Sequence, residues 1–180
     1  MQTGARLSVK LVDTPLGWVC VAGTAEAVTR VVLPLPIWEA ALAVCSPGRV
    51  VRESNPLLES LAEDLFRYFQ GERMDLNYPV DLSREPQFRR EVLLAARAIP
   101  YGEVRSYGWL AHWVGAPSAA RAVGQALHHN PVPLLVPCHR VVGANGSLVG
   151  FGAGLALKRR LLELEGARWK DEGGRMKAEG

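Results

Sequence analysis

Short apolar segments alternate with turn residues in the first third of the chain, which is the pattern of a small antiparallel sheet. Three strands are predicted, at residues 7–12, 17–22 and 28–33. Asp13-Thr14-Pro15 is a plausible hairpin turn between the first two. From Asn55 onward the apolar positions follow a helical period, with Asn55 as the N-cap, Pro56 in the first turn and Gly71 just past the end. These patterns predict a unit of sheet plus helix that carries no evident chemistry.

Helical periodicity dominates after residue 84. Four helices are predicted, at residues 88–99, 107–114, 119–129 and 155–165. Ser106 can cap the second helix and Ser118 the third. Because these two helices are short and only Gly115-Ala116-Pro117 separates them, they have the build of a helix-turn-helix.

The pattern as a whole predicts an α+β fold with two domains. A small N-terminal sheet-plus-helix domain with its linker is expected at residues 1–83. A mostly helical domain like a winged helix-turn-helix is expected at 84–170, and 171–180 are expected to form a disordered tail.

The third predicted helix is unusually rich in small residues. Its main projecting side chains are Arg121, Gln125 and His128. A helix with such small side chains can bring its backbone close to a surface. Binding in the narrow minor groove of DNA requires this close approach, whereas binding in the wide major groove does not. Tight packing between helices is the alternative use of the same alanines.

Charge is spread unevenly along the chain, although the net charge is only +3. Residues 1–83 carry 7 basic and 10 acidic side chains, a balance of −3, whereas residues 84–169 carry 11 and 5, a balance of +6. This asymmetry favours a polyanion as the partner of the second half. A solvated helical surface would give the same charge count.

Pro137-Cys138-His139-Arg140-Val141 is the segment best suited to chemistry. An imidazole can take the proton of a thiol, and a guanidinium nearby would favour the thiolate that remains. The prolines before Cys138 predict an extended approach, in which neighbouring side chains point to opposite sides. A bridging water and an acid that orients His139 are therefore expected. A buried structural cysteine is the alternative for a Cys-His pair taken alone.

Cysteine content and hydrophobicity indicate the cellular compartment. Three cysteines without a CxxC spacing argue against a disulfide framework or a thiolate zinc site. No long apolar run and no signal pattern is present, so a cytoplasmic protein is expected.

Asn145-Gly146 predicts a hairpin between residues 141–144 and 147–149. The glycine-rich run 150–154 is only weak support for phosphate binding.

Several motifs in a fixed order resemble the O6-alkylguanine-DNA alkyltransferases. They cover residues 100–166 and match the N-terminal part only loosely; they are Ser106-Tyr107-Gly108, Arg121-Ala122-Val123-Gly124, Asn130-Pro131-Val132-Pro133, Pro137 to Val141, and Leu161 to Gly166. The resemblance implies single-turnover repair, in which Cys138 takes the alkyl group from guanine O6, and less well from thymine O4. Such a protein binds double-stranded DNA in the minor groove, flips the damaged base and uses no cofactor or metal; a monomer associated with the nucleoid is expected.

The resemblance also assigns roles to individual residues. His139 is implied as the water-linked base, Glu165 as the acid that orients it, and Asn130 as the brace of the active-site segment. Tyr107 is implied to press on the target phosphate and protonate the departing guanine, and Arg121 to fill the place of the flipped base. The set implied to contact DNA beside them is Ser118, Ala120 and Gly124, and the set implied to form the pocket is Cys138, Val141, Phe151 and Gly152.

Two other classes of protein remain as alternatives. A cysteine hydrolase would use Cys138 and His139 on an amide and would turn over repeatedly. A helix-turn-helix regulator would read base edges with long polar side chains, which the alanine-rich helix mostly lacks. The resemblance departs at Phe151, where the family often has tyrosine, and at Lys158-Arg159-Arg160, where it has an acidic-aromatic pair.

Overall fold

The computed structural model describes residues 7–46, 54–170 and 174–177. The chain divides into two compact units, Met1–Leu82 and Ser83–Gly180. Both units mix helix with strand, and the predicted α+β class is confirmed.

The N-terminal unit is built on the predicted antiparallel sheet. Its elements are β1 (Ser8–Thr14), β2 (Gly17–Gly23), β3 (Val28–Leu35), α1 (Trp38–Cys45) and α2 (Pro56–Phe69). The sheet order is β1-β2-β3, and Thr14 pairs with Gly17 across the first hairpin. Gly17 has a φ of 120° in this turn, a conformation that favours glycine. Pro34 lies inside β3, which tolerates proline because β3 is an edge strand.

Helix α1 was not predicted from the sequence. It spans only eight residues and its N-cap residue, Ile37, supplies no side-chain hydrogen bond. It is stabilised by packing, because its buried Ala41 and Cys45 join Cys20 of β2 in one apolar cluster. By contrast α2 has the predicted cap: the Asn55 side chain accepts hydrogen bonds from the amides of Leu57 and Leu58 at 3.1 and 3.3 Å.

The C-terminal unit is mainly helical. Its elements are α3 (Gln87–Arg97), β4 (Arg105–Ser106), α4 (Tyr107–Trp113), α5 (Ala120–His128), a 3₁₀ turn (Cys138–Arg140), β5 (Val141–Val142), α6 (Leu155–Leu164), β6 (Trp169–Lys170) and β7 (Met176–Lys177). Helices α3, α4 and α5 contact one another, and β4 pairs with β5 in parallel. Strand β5 therefore anchors the segment after Cys138 beside the start of α4.

The two predicted serine caps have different outcomes. Ser106 caps α4, since its hydroxyl accepts a hydrogen bond from the Trp109 amide at 3.1 Å. Ser118 does not cap α5, because the helix begins after Ala119 and has no side-chain cap. A backbone turn sets its start instead, with the Ala119 amide donating to the Ala116 carbonyl at 2.9 Å.

The approach to Cys138 is folded rather than extended. The Val136 amide donates to the Val132 carbonyl at 2.9 Å, and Leu134 between them has a φ of 73°. Cys138 itself starts the 3₁₀ turn. The prolines thus exclude α-helix, as expected, but the chain satisfies its buried backbone groups through turns.

Two further predictions in this unit were wrong in detail. Asn145-Gly146 forms a tight turn, in which the Gly143 amide donates to the Ser147 carbonyl at 2.8 Å, but Val141 and Val142 pair with β4 and not across that turn. In the predicted disordered tail, Met176 and Lys177 form β7 on β6. The other tail residues, 171–173 and 178–180, lie outside the described residues.

Candidate active site

Cys138 lies at the start of the 3₁₀ turn and is 7% exposed. Burial raises the pKa of its thiol, while a hydrogen bond from Asn130 and the charge of Lys158 act in the opposite direction. Burial prevails, so the thiol is protonated in the resting protein. The depth of this burial could not be inferred from the pentapeptide around Cys138.

His139 is bound to an acid, as the sequence predicted that it should be. Its Nε2 atom lies 2.7 Å from Oε1 of Glu165, at the C-terminal end of α6, and both side chains are buried. Burial alone would raise the pKa of Glu165, but the charge and hydrogen bond of His139, followed by those of Arg140, lower it below its usual range. An ionised carboxylate accepts only, so the neutral His139 ring must carry its proton on Nε2.

The other ring nitrogen of His139 is free to act as a base. Nδ1 is buried and has no hydrogen-bond partner among the described residues. With the proton fixed on Nε2, Nδ1 keeps its lone pair, and the ionised Glu165 stabilises the imidazolium formed when Nδ1 takes a proton. The pair can therefore accept the thiol proton, directly or through a water.

Arg140 hydrogen-bonds to the acid, Glu165, rather than to the thiol of Cys138. Its guanidinium donates to both carboxylate oxygens of Glu165, at 2.8 and 3.0 Å, and to the Ile99 carbonyl at 2.7 Å. This bidentate geometry holds the carboxylate in one orientation. The expectation that Arg140 would stabilise the thiolate directly is wrong, because its donors are used on Glu165 and Ile99.

Asn130 joins the turn segment to the nucleophile. Its amide nitrogen donates to the Val136 carbonyl at 2.8 Å and to Sγ of Cys138 at 3.3 Å. Its side-chain oxygen accepts from the Val132 amide at 3.0 Å. One side chain thus fixes both the fold of residues 132–136 and the position of the sulfur.

Tyr107, the first residue of α4, reaches the same region. Its hydroxyl lies 3.1 Å from the Val149 carbonyl and 3.2 Å from that of Gly150. Burial, followed by the neighbouring Cys138, raises the pKa of Tyr107 to about 12. The hydroxyl therefore stays protonated at neutral pH and can donate. Its ring lies against Gly124 of α5, where an added Cβ would be 3.7 Å from the ring.

Residues 150–154, which we call the glycine loop, lie beside Tyr107. Phe151 is half-buried in this loop, whereas Gly152 is exposed and lies near the ring of His128. Val141 is fully buried directly after the 3₁₀ turn. Its carbonyl and those of Val149 and Gly150 accept hydrogen bonds from the same side chain, that of Lys158, so Val141 lies near the start of the glycine loop.

Lys158 was missed as a functional residue by the sequence reasoning. It is fully buried in α6, and its ammonium donates to the carbonyls of Val141, Val149 and Gly150 at 2.6, 2.9 and 3.3 Å. Burial lowers its pKa to about 8, and Cys138 counteracts this shift. The sequence did indicate that Lys158 is buried. It precedes the buried Leu161 by three residues and so lies on the apolar face of α6.

Four of the predicted DNA-binding residues lie on α5 and the turn before it, and the fifth, Tyr107, begins α4. Arg121 is exposed and forms no ion pair with any described residue. Ser118 is also exposed, while Ala120 and Gly124 are half-buried. Arg121 is therefore an exposed cation on a helix whose neighbouring residues Ala120, Ala122 and Gly124 are small.

Within the described ranges, no group of three or more His, Cys, Asp and Glu residues could hold a metal ion. Nor is any helix in those ranges long and apolar enough to cross a membrane. Cys20 and Cys45 interact in the N-terminal core; this contact, followed by burial, raises the pKa of Cys45.

Taken together, the fold and site define a class of protein in which a buried cysteine, an amide donor to its sulfur and a hydrogen-bonded His-Glu pair lie in a mainly helical domain. The DNA-binding domain of the 6-O-methylguanine DNA methyltransferases matches residues 87–167. The chain belongs to the methylated-DNA–protein-cysteine methyltransferase family.

Full-length relatives support this membership. The chain is 42% identical over 160 residues to the methylated-DNA–protein-cysteine methyltransferase of Mycobacterium tuberculosis, covering 88% of this chain and 92% of that one. It is 37% identical to the constitutive enzyme of Bacillus subtilis, over 89% and 96%. It is also similar to the solved structure of M. tuberculosis OGT in complex with DNA, with a TM-score of 0.75, 39% identity and coverage of 88% and 92%.

Proposed function

We propose that this chain repairs DNA by direct reversal, transferring an alkyl group from O6 of guanine to Sγ of Cys138. The observation that carries the proposal is the connected set Cys138, Asn130, His139, Glu165 and Arg140. It supplies a thiol, a donor to its sulfur and a base whose ring is oriented by an ionised acid. The names of the relatives describe the same chemistry.

In the proposed reaction the thiol proton passes to Nδ1 of His139, through a water, and the imidazolium pairs with Glu165. The thiolate attacks the alkyl carbon, forming the sulfur–carbon bond as the carbon–O6 bond breaks. The electron pair remains on the guanine, and the Tyr107 hydroxyl donates a proton to the purine ring. Tyr107 then regains a proton from the His139 imidazolium through water, which returns both side chains to their starting protonation. The thioether is stable, so each molecule reacts once.

Transfer from duplex DNA requires that the base leave the stack, because an in-line attack on its alkyl carbon needs the guanine inside the pocket. Extrusion costs a few kcal/mol, less where alkylation has weakened the pair. We assign Arg121 to the vacated place in the duplex and Ser118, Ala120 and Gly124 to the minor-groove contact. The exposure of Arg121 and the small residues of α5 support this assignment.

The flipped guanine is assigned to the space between Cys138, Val141 and the glycine loop. Its exocyclic amine would donate to the carbonyls of Cys138 and Val141, and the Gly152 amide would donate to O6. The convergence of Tyr107 and Lys158 on the carbonyls of Val149 and Gly150 supports a pocket wall at this place.

The proposal is tested by stoichiometry. With an excess of duplex carrying a labelled methyl on guanine O6, we expect one equivalent of label to move to the protein, with chelator present or absent. Cys138→Ala should bind the duplex as tightly as wild type and transfer nothing. Repeated turnover, which a cysteine hydrolase would show, or full transfer by Cys138→Ala would refute the proposal; binding without any transfer by wild type would indicate a regulator.

A further inference from the structure

We infer that the C-terminal unit holds a second ligand site, separate from the guanine pocket, in which Arg159, Lys170 and Asn145 bind the phosphate of a phosphate ester. The site goes beyond the proposed repair reaction, because none of these three side chains takes part in alkyl transfer. The ester is either a link of the DNA backbone or a free nucleotide, since both present the same phosphate chemistry.

A cavity of about 380 Å³ marks the site. Its walls come from the turn at 145–148, from α6 and from β6. Cys138, His139 and Tyr107 do not line it. Small-molecule sites measure ~300–1,000 Å³, so a cavity of this size can hold a small ligand. It is therefore a separate candidate site and not an extension of the guanine pocket.

Backbone hydrogen bonds hold the walls of the cavity together. The Gly143 amide donates to the Ser147 carbonyl at 2.8 Å, and the Lys170 amide donates to the Gly146 carbonyl at 2.9 Å. The side-chain methylenes of Lys170 lie against Gly146, where an added Cβ would be 3.6 Å from Cγ of the lysine. The turn and β6 are thus joined without a ligand, and a preformed site loses less free energy on binding.

The floor of the cavity is apolar. Trp169 is 3% exposed and packs with Leu162 and Ala167, and Leu148 packs against this cluster. The guanidinium of Arg159 lies over the indole of Trp169, 5.7 Å from the ring centre. This cation–π contact places the guanidinium over the floor and leaves its N–H groups available to an acceptor.

The polar groups at the cavity are mainly donors without partners. The side-chain oxygen of Asn145 accepts from the amide and the hydroxyl of Ser147, at 3.1 and 2.6 Å, whereas its NH₂ group donates to no described residue. Arg159 and Lys170 form no ion pair with any described residue. No carboxylate of the described residues lines the cavity. Two cations and an amide donor without an acid select an anion.

A phosphate ester fits this set of groups better than a simple anion does. A guanidinium binds phosphate through two parallel hydrogen bonds, and an ammonium adds a compact positive charge. The apolar floor suits the sugar or base that a phosphate ester carries. Leu148 precedes the glycine loop and Leu155 follows it, and both line the cavity. A bound ester would therefore contact both ends of the loop to which the flipped guanine is assigned.

The test uses the full chain and three variants. Arg159→Gln and Lys170→Gln each remove one cation from the cavity. Arg160→Gln is the matched control, because it removes an exposed cation of the same helix that does not line the cavity. Inorganic phosphate, adenosine monophosphate and acetate are titrated at constant ionic strength. Binding is followed by nuclear magnetic resonance, through the side-chain amide of Asn145 and the indole N–H of Trp169.

We expect adenosine monophosphate to shift both resonances in a saturable way and to bind more tightly than inorganic phosphate, with acetate weakest. Arg159→Gln and Lys170→Gln should raise the dissociation constant of adenosine monophosphate about tenfold or more, as the loss of a hydrogen bond between charged groups does. Arg160→Gln should bind as wild type does.

A second measurement distinguishes the two sources of the phosphate. Binding of an unmodified duplex is followed across salt concentrations for the same variants. If the occupant is a backbone phosphate, Arg159→Gln should lower the salt slope by about one, whereas Arg160→Gln should not change it. An unchanged slope together with weakened binding of adenosine monophosphate would assign the site to a free nucleotide.

The inference is overturned if Arg159→Gln matches Arg160→Gln in both measurements, or if acetate binds as tightly as adenosine monophosphate. Should Arg159→Gln fail to fold, Lys170→Gln decides by the same two criteria. Neither measurement involves alkyl transfer. A protein that binds adenosine monophosphate but takes no methyl group from a methylated duplex would therefore refute only the proposed function.

Discussion

The chain buries thiols in two regions that differ in what surrounds the sulfur. In the N-terminal unit, Cys20 and Cys45 meet each other inside an apolar cluster of β2, β3 and α1. In the C-terminal unit, Cys138 is almost as deeply buried, yet it meets an amide donor, a cation and the turn that carries the base. The hydrogen bond with Cys20, followed by burial, raises the pKa of Cys45, and burial raises the pKa of Cys138. What distinguishes Cys138 is therefore its set of polar partners, which the apolar cluster does not offer to Cys45.

The comparison predicts the largest loss for the base itself. His139→Gln should lower the transfer rate at neutral pH by about 100-fold or more, the usual contribution of a general base. Without an imidazole, the thiol must ionise unaided against a raised pKa. The rate of the variant should therefore continue to rise toward high pH after that of wild type has levelled. Single-turnover rates on a methylated duplex across pH measure this, and superimposable profiles would show that His139 is not the base.

Removing the charge of the acid should affect both rate and stability. Glu165→Gln leaves Arg140 buried without its counter-charge, so we expect the free energy of unfolding to fall by about 3 kcal/mol. Transfer should slow at the same time, because the imidazolium loses its partner. Glu163→Gln, on the exposed face of α6, is the control.

The stability loss should also depend on pH. The folded protein lowers the pKa of Glu165, so the stabilisation is present above the unfolded value of about 4.3 and is lost as the pH falls through the folded value. Denaturant unfolding at several pH values should show wild type and Glu165→Gln converging in acid. A constant difference between them down to low pH would contradict this interpretation.

Arg121 tests the DNA side of the site with a smaller expected effect. Arg121→Ala should react with O6-benzylguanine, which enters the pocket without extrusion, at nearly the wild-type rate. On saturating methylated duplex it should be about tenfold slower, because the vacated stack is not filled and extrusion costs a few kcal/mol. Arg160→Ala controls for the loss of one cation. Full rate on saturating duplex would make Arg121 an anchor to the phosphates only, which lowers the salt slope of binding by about one.

The smallest effect is expected in the apolar cluster. Cys20→Ala with Cys45→Ala removes both buried thiols of the N-terminal unit, which should cost about 1 kcal/mol each in stability through lost packing. The transfer rate at a temperature where the variant is fully folded should equal that of wild type. A slower transfer under those conditions would show that the N-terminal thiols take part.

The sequence was most informative where local rules decide the structure. Asn55 and Ser106 were identifiable as caps because a cap acts on the amides two or three residues away. Ser118 was misjudged because a backbone turn starts α5, and α1 was missed because its contacts with the sheet stabilise it more than its own residues do. The segment before Cys138 was wrongly predicted to be extended for a related reason. Its backbone groups are buried and therefore need hydrogen-bond partners, which they find in turns.

In the candidate site too, local features could be predicted from the sequence and contacts between distant residues could not. Cys138 and His139 were evident from a short stretch of chain, and Asn130 and Glu165 were identified through the family resemblance. The roles of Arg140 and Lys158 depend on which distant carbonyl or carboxylate each one meets. Spacing in the sequence does not determine such contacts, and so the cation near the thiol was assigned to the wrong residue.

Mapping the alkyl group on all three cysteines tests the central claim most directly. The protein is incubated with a duplex that carries one O6-methylguanine, digested, and the peptides of Cys20, Cys45 and Cys138 are compared by mass spectrometry. The account predicts one methyl group on Cys138 and none on the other two thiols. A methyl group on Cys20 or Cys45, or on no cysteine while the lesion disappears, would contradict it.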